Sequence, residues 1–220
     1  MPMKKIPKIK RPGTLQALAY DKIKDLLLTG QLQLDAIYSA NQFAEILGVS
    51  RTPVREALLQ MAAEGLMIPI KGRGFKIREF TKKEVRDFFE TRKLIELYVI
   101  NQLVGAMQNK DIRALEDSLQ QMVKSESEGD TNGFLESDKA FHMYLVHLQN
   151  NHLLESIMEN IRNLISIFGK KALSTPGRTQ EVIQEHEAVY QGLRNKDRRK
   201  AVQSMKYHLN TTEKYLLENI

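Results

Sequence analysis

The spacing of apolar residues changes at Phe80, and this break constrains the fold more than any other feature of the chain. Before it, apolar residues come in short stretches separated by glycine and proline. From Thr81 onward they recur at helical spacing with only brief interruptions. A helical period and a strand period cannot serve the same segment, so the two halves must fold differently. The expected fold class is mainly α: a winged helix-turn-helix at 14–79, preceded by a basic flexible tail at 1–13, and an all-α bundle at 80–220.

The 220 residues suffice for two small domains. Hydrophobic residues make up 42% and charged residues 27%, a balance that favours packed cores over disorder. There is no cysteine, which excludes a disulfide framework, a Cys-ligated zinc finger, an iron–sulfur site and a thiol nucleophile. No apolar run approaches the ~20 residues that span a bilayer. The basic stretch Met1–Arg11 lacks the apolar centre of a signal peptide. A cytoplasmic protein with no membrane partner is expected.

The net charge of +6 belongs to the first part. Residues 1–80 hold 13 basic and 7 acidic side chains, whereas residues 81–220 hold 20 of each and all five histidines. A basic module points to a polyanion such as nucleic acid. Lys4, Lys5, Lys8, Lys10 and Arg11 carry much of that excess, so the placement of the remaining arginines has to decide.

Thr14 can cap an amphipathic helix over Thr14–Thr29, ended by Gly30. Ser39 can cap a short helix, Ala40–Leu47, stopped by Gly48. Ser50 can cap a third, Arg51–Glu64, with Pro53 in its first turn. The apolar runs Leu66–Ile70 and Phe75–Arg78 flank Lys71-Gly72-Arg73-Gly74, a hairpin with a basic tip. In the third helix Arg51 and Arg55 project from one face, opposite Leu58 and Met61. The first residues of such a helix reach base edges in the major groove, where arginine reads guanine. Ser50 and Thr52 are placed for phosphate, and Lys71 and Arg73 for backbone or minor groove.

The run Ser50-Arg51-Thr52-Pro53-Val54-Arg55-Glu56-Ala57-Leu58, with Phe43-Ala44-Glu45-Ile46-Leu47-Gly48-Val49 before it, resembles the recognition helix of GntR-family bacterial transcription regulators. The resemblance implies DNA contacts by Arg51, Arg55 and Gly72. One position departs: relatives often carry Arg where this chain has Asn41, so the contact there is altered and the operator sequence stays open.

Beyond Phe80, helices are expected from a Thr81 cap to about Gln108, then Ile112–Ser127 capped by Asp111, Gly133–Gln149 opened by Asn132, His152–Leu173, Arg178–Asn195 and Asp197–Glu218. Asp138 and His142 share a face of one helix, and His186 and His208 lie on two later ones. Three imidazoles and a carboxylate suit zinc, nickel, manganese or iron if they converge. Spacing alone does not show convergence, and a helical histidine is commonly a hydrogen-bonded bystander. His147 and His152 lie off the Asp138/His142 face or in a break and read as bystanders.

Arg92-Lys93-Leu94-Ile95-Glu96, Asp138-Lys139-Ala140-Phe141-His142, Glu185-His186-Glu187-Ala188-Val189 and Met205-Lys206-Tyr207-His208-Leu209 occur in the order seen in the FCD ligand-binding domain of the FadR/VanR-type branch, which this half resembles. By that resemblance Asp138, His142, His186 and His208 ligate a divalent metal ion, zinc as first choice, and Arg92 faces the cavity beside it. Arg162, Asn163 and Ser166 are assigned to the effector wall, and a pair with Glu96 is the competing role for Arg92. The implied function is a homodimeric repressor of double-stranded operator DNA, controlled by a small carboxylate effector. The alternative is a metal-dependent hydrolase on a nucleic-acid anchor, but no general base stands beside the proposed ligands and His-Glu-x-x-His is absent.

Overall fold

The computed structural model describes residues 14–219, and the basic segment 1–13 lies outside them. Two compact units meet between Glu79 and Phe80. The first unit opens with α1 (Leu15–Leu28), where the Thr14 hydroxyl accepts from the Ala17 amide at 3.2 Å. Helix α2 (Ala40–Leu47) begins with a reciprocal cap between Ser39 and Gln42. It ends at Gly48, whose φ of 65° turns the chain tightly into α3 (Arg51–Ala63).

Two local expectations need correction. Ser50 occupies the cap position of α3, but its hydroxyl makes no capping bond. Pro53 takes the third helical position and has no N–H to offer. The sheet has a third strand: β1 (Ile37–Tyr38) pairs antiparallel with β3 (Gly74–Ile77), which also pairs with β2 (Met67–Ile70), giving the order β1-β3-β2. Ala19, Ile23 and Leu27 of α1, Phe43 of α2, and Val54, Ala57, Leu58 and Met61 of α3 form the core of this unit, together with Leu66, Phe75 and Ile77.

The second unit has six helices: α4 (Lys82–Leu103), α5 (Asn109–Ser127), α6 (Thr131–His147), α7 (His152–Ala172), α8 (Arg178–Arg194) and α9 (Arg198–Glu218). Thr81 caps α4 in a reciprocal box with Glu84. Three boundaries differ from expectation. Helix α4 stops at Leu103, because the chain turns at Gly105, with φ of 84°. Helix α5 starts earlier: Asp111 sits inside its first turn and accepts from the Gln108 amide at 2.8 Å. Asp130, not Asn132, caps α6 by accepting from the Gly133 amide at 3.0 Å.

Each helix of this unit buries one stripe, and Val99, Leu115, Leu119, Met122, Phe141, Val189, Met205 and Leu209 meet in the core. Helices α8 and α9 approach so closely that a Cβ on Gly192 would lie 2.5 Å from the Ala201 nitrogen. Gly192→Ala is expected to cost about 1–3 kcal/mol by overpacking. For a chain of this size, that lowers the melting temperature by roughly 2–10 °C in a calorimetric scan.

Candidate metal centre and nucleic-acid interface

In the first unit the buried faces of α2 and α3 leave the opposite side of α3 in solvent. Asn41, Arg51, Arg55, Lys71, Gly72 and Arg73 line one groove between α3 and the hairpin tip, and all six are exposed. Ser50 and Thr52 are exposed at the start of α3, outside that groove. The uncapped Ser50 hydroxyl has no helical partner, so it is free for another acceptor or donor. Cationic side chains on a concave surface beside an exposed helix start suit a phosphate backbone and base edges.

In the second unit the candidate ligands interrupt apolar stripes. Asp138 and His142 sit among Phe134, Phe141 and Leu145 on α6; His186 sits between Val182 and Val189 on α8; His208 follows Met205 on α9. Burying such groups in a core is costly unless each is satisfied. The structure brings all four together, with one ligand atom from each lying within 4.8 Å of the others.

The outward nitrogen of each imidazole has an acceptor. His142 Nδ1 faces the Glu96 carboxylate at 2.5 Å, His208 Nδ1 faces Glu185 at 2.8 Å, and His186 Nδ1 faces the Val182 carbonyl at 2.8 Å. These partners hold the proton on Nδ1 and leave a lone pair on every Nε2. His142 Nε2 lies 3.2 Å from both His186 Nε2 and His208 Nε2, and Asp138 Oδ1 lies 3.2 Å from His186 Nε2. Lone pairs facing one another repel unless a cation lies between them. Two nitrogens each ~2.1 Å from one ion stand about 3.0 Å apart at a right angle and about 3.4 Å apart at the tetrahedral angle. The observed spacing falls between these, so the donor set fits a divalent ion.

The surroundings explain the ionisation. Burial lowers His142 to about 3 and His208 to about 4, against the carboxylates beside them that favour the charged form. Burial acts to raise Asp138, but the Arg162 guanidinium beside it outweighs this and holds the carboxyl well below its usual range. His142 and His208 therefore stay neutral, as metal ligands must. For metal-free protein the sign of the pH effect follows. An unfolded chain takes up protons near pH 6.5, which folded His142 and His208 do not until about pH 3–4. Stability is therefore full above pH 6.5 and is lost as pH falls through that window. Chelated protein is expected to melt several degrees lower at pH 5 than at pH 7.5; equal melting temperatures would refute the assignment of neutral, buried imidazoles.

Arg92 both pairs with Glu96 and lines a cavity. Its Nε donates to Glu96 at 2.7 Å, its Nη2 lies 3.4 Å from His142 Nε2, and its Nη1 is buried without a partner. It lines a cavity of about 40 Å³ with Asp138, Arg162, Ser166 and His208. Arg162 grips Asp138 through Nη2 and leaves its buried Nε unpartnered. Asn163 does not line this cavity: one residue along α7 from Arg162, it is turned aside and accepts from Lys139 at 3.0 Å. His147 and His152 are exposed and face Glu155.

The sequence reading missed Glu185 and Arg178. Glu185 is turned from His186 but meets His208 across the α8–α9 hairpin, and Arg178 clamps both oxygens at 2.6 and 3.0 Å. The signal lies in hairpin register. Gly192 faces Ala201, and two turns further along each helix Glu185 faces His208. A carboxylate held in this way is not a free general base.

No helix among the described residues is long and apolar enough to cross a membrane. Residues 15–77 match the family model of bacterial regulatory proteins, gntR family, and residues 87–211 match the FCD domain. The transcriptional regulator LutR of Bacillus subtilis is 28% identical over 207 residues, covering 83% of this chain and 91% of its own length. The gluconate operon transcriptional repressor of the same organism is 26% identical over 204 residues, covering 90% and 82%. The solved structure of E. coli McbR/YncC superposes with a TM-score of 0.83 at 20% identity, covering 94% of this chain and 99% of its own. FCD domains can bind metal ions, and the His/Asp cluster described above is a candidate site of that kind. A winged helix-turn-helix joined to an FCD domain makes this chain a member of the GntR family, a DNA-binding transcriptional regulator and not an enzyme.

Proposed function

We propose that this regulator is a cytoplasmic homodimeric repressor, released from its operator by a small carboxylate that binds beside a divalent metal ion in the second unit. One observation carries the reading: three imidazole lone pairs and the Asp138 carboxylate face one another next to a cavity lined by Arg92, whose buried Nη1 has no partner. Asp138, His142, His186 and His208 hold the ion, which supplies positive charge that attracts an anion. Arg92 and Arg162 orient the carboxylate through their free donors, and Ser166 stands on the same wall.

On the DNA side, Arg51 and Arg55 read base edges. Ser50, Thr52, Lys71, Gly72, Arg73 and Asn41 position the unit on the backbone. Two copies of α3 related by a dimer axis match a palindrome. The likeness to the gluconate operon repressor supports repression. By linkage, an acid that weakens DNA binding is itself bound more weakly by the DNA complex.

A gel shift with fragments of the source genome tests this. Metal-loaded protein is expected to retain a fragment that one small carboxylic acid releases, and chelated protein to ignore that acid. Release of equal extent with and without chelator would remove the metal from the mechanism.

A further inference from the structure

The walls of the effector cavity restrict the acid that enters it. Beyond the charged groups, that cavity is lined by Phe134, Leu135, Ile165, Leu173, Val182 and Leu216. It offers two hydroxyls, and both already have one bond. Ser166 donates to the Arg162 carbonyl at 2.8 Å, and Thr212 accepts from Arg178 at 3.2 Å. What remains is a single hydroxyl donor, on Thr212, with acceptor lone pairs on both oxygens. One further ligand oxygen can therefore accept a hydroxyl hydrogen from these walls.

Space points the same way. About 40 Å³ holds roughly three water molecules. A carboxylate with a short tail fits this volume with modest yielding of the walls. A six-carbon polyhydroxy acid does not fit, and its hydroxyls would be buried against leucine and phenylalanine without partners. Leu135 sets one limit of the space. It packs on the α7 backbone at Gly169, where an added Cβ would lie 2.9 Å from Leu135 Cδ2.

We infer that the effector is a short-chain monocarboxylate of about two to four carbons, carrying at most one further oxygen, and not a sugar acid. This rests on the reading of the cavity as the effector site. The unpartnered Arg92 Nη1 and Arg162 Nε take the carboxylate, and the apolar wall takes the tail.

Calorimetric titration of the metal-loaded, full-length protein with acetate, propionate, butyrate, lactate, hexanoate and gluconate tests the inference. Propionate, butyrate or lactate is expected to bind best, with gluconate roughly 100-fold weaker or worse. Leu135→Ala is expected to move the optimum toward hexanoate; Leu135→Val, which shortens the side chain less, serves if the first variant fails to melt cooperatively. Gluconate binding as tightly as the short acids would overturn the inference, as would a chain-length profile unmoved by the variants. Failure of all six acids to bind folded, metal-loaded protein would instead overturn the reading of the cavity as a carboxylate site.

Discussion

Replacing both Arg51 and Arg55 with alanine is expected to weaken operator binding by at least about 30-fold, because each bidentate arginine–guanine contact discriminates by roughly 1–3 kcal/mol. Both side chains are exposed on the flank of the buried stripe of α3 (Val54, Ala57, Leu58 and Met61) rather than opposite it, and neither belongs to that stripe, so the double variant should fold and melt as the wild type does. Lys71→Ala and Arg73→Ala at the hairpin tip should act differently. A phosphate contact carries no sequence information, so its loss weakens specific and non-specific binding together and reduces the salt slope by about 1. Measuring affinity against salt for operator and for random duplex separates the two classes. If the double arginine variant retained wild-type affinity for operator, α3 would not be the reading helix. If the hairpin variants lost specificity but kept their salt slope, the assignment of base and phosphate contacts would have to be exchanged.

The fold was legible wherever local chemistry decides it. Gly48 before Arg51 forces a tight turn between two short amphipathic helices, and the hairpin tip needs its glycines, so the winged helix-turn-helix follows from the residues. The helices of the second unit follow from periodicity in the same way. Strand β1 was hidden because Ile37 and Tyr38 make too short a run to show an alternation, and they become a strand only by pairing with β3. The candidate site was legible in part. Asp138 and His142 share a face by spacing alone, but the arrival of His186 and His208 beside them depends on helix packing that no local pattern encodes. Glu96 appeared only as a partner for Arg92, because its contact with His142 joins two helices distant in sequence. Asn163 was misplaced for a simpler reason: adjacent residues on a helix point about 100° apart, and Arg162 takes the inward direction.

Removing the metal from the protein is expected to lower its melting temperature by roughly 5–10 °C when the ion had been supplied at about 100 times its dissociation constant. The cause lies in the donor set. With Nδ1 of His142, His186 and His208 committed to Glu96, Val182 and Glu185, the three Nε2 atoms can only present lone pairs to one another. The metal-free protein must bear that repulsion, admit water or move a helix. His186→Ala should abolish the metal-dependent rise in melting temperature, since it removes one of the four ligands. Glu96→Gln and Glu185→Gln leave all four ligands in place and weaken only the grip on the imidazoles, so each is expected to reduce metal affinity by about 10–100-fold in a chelator competition. Arg92 adds a contrast, because Glu96 also holds its guanidinium in the cavity. Glu96→Gln should therefore weaken carboxylate binding even at saturating metal, whereas Glu185→Gln should lose little once the ion is restored. Equal acid affinity in the two saturated variants would mean that Arg92 keeps its place without Glu96, and its position would then have to come from its contacts with Phe89 and His142 alone.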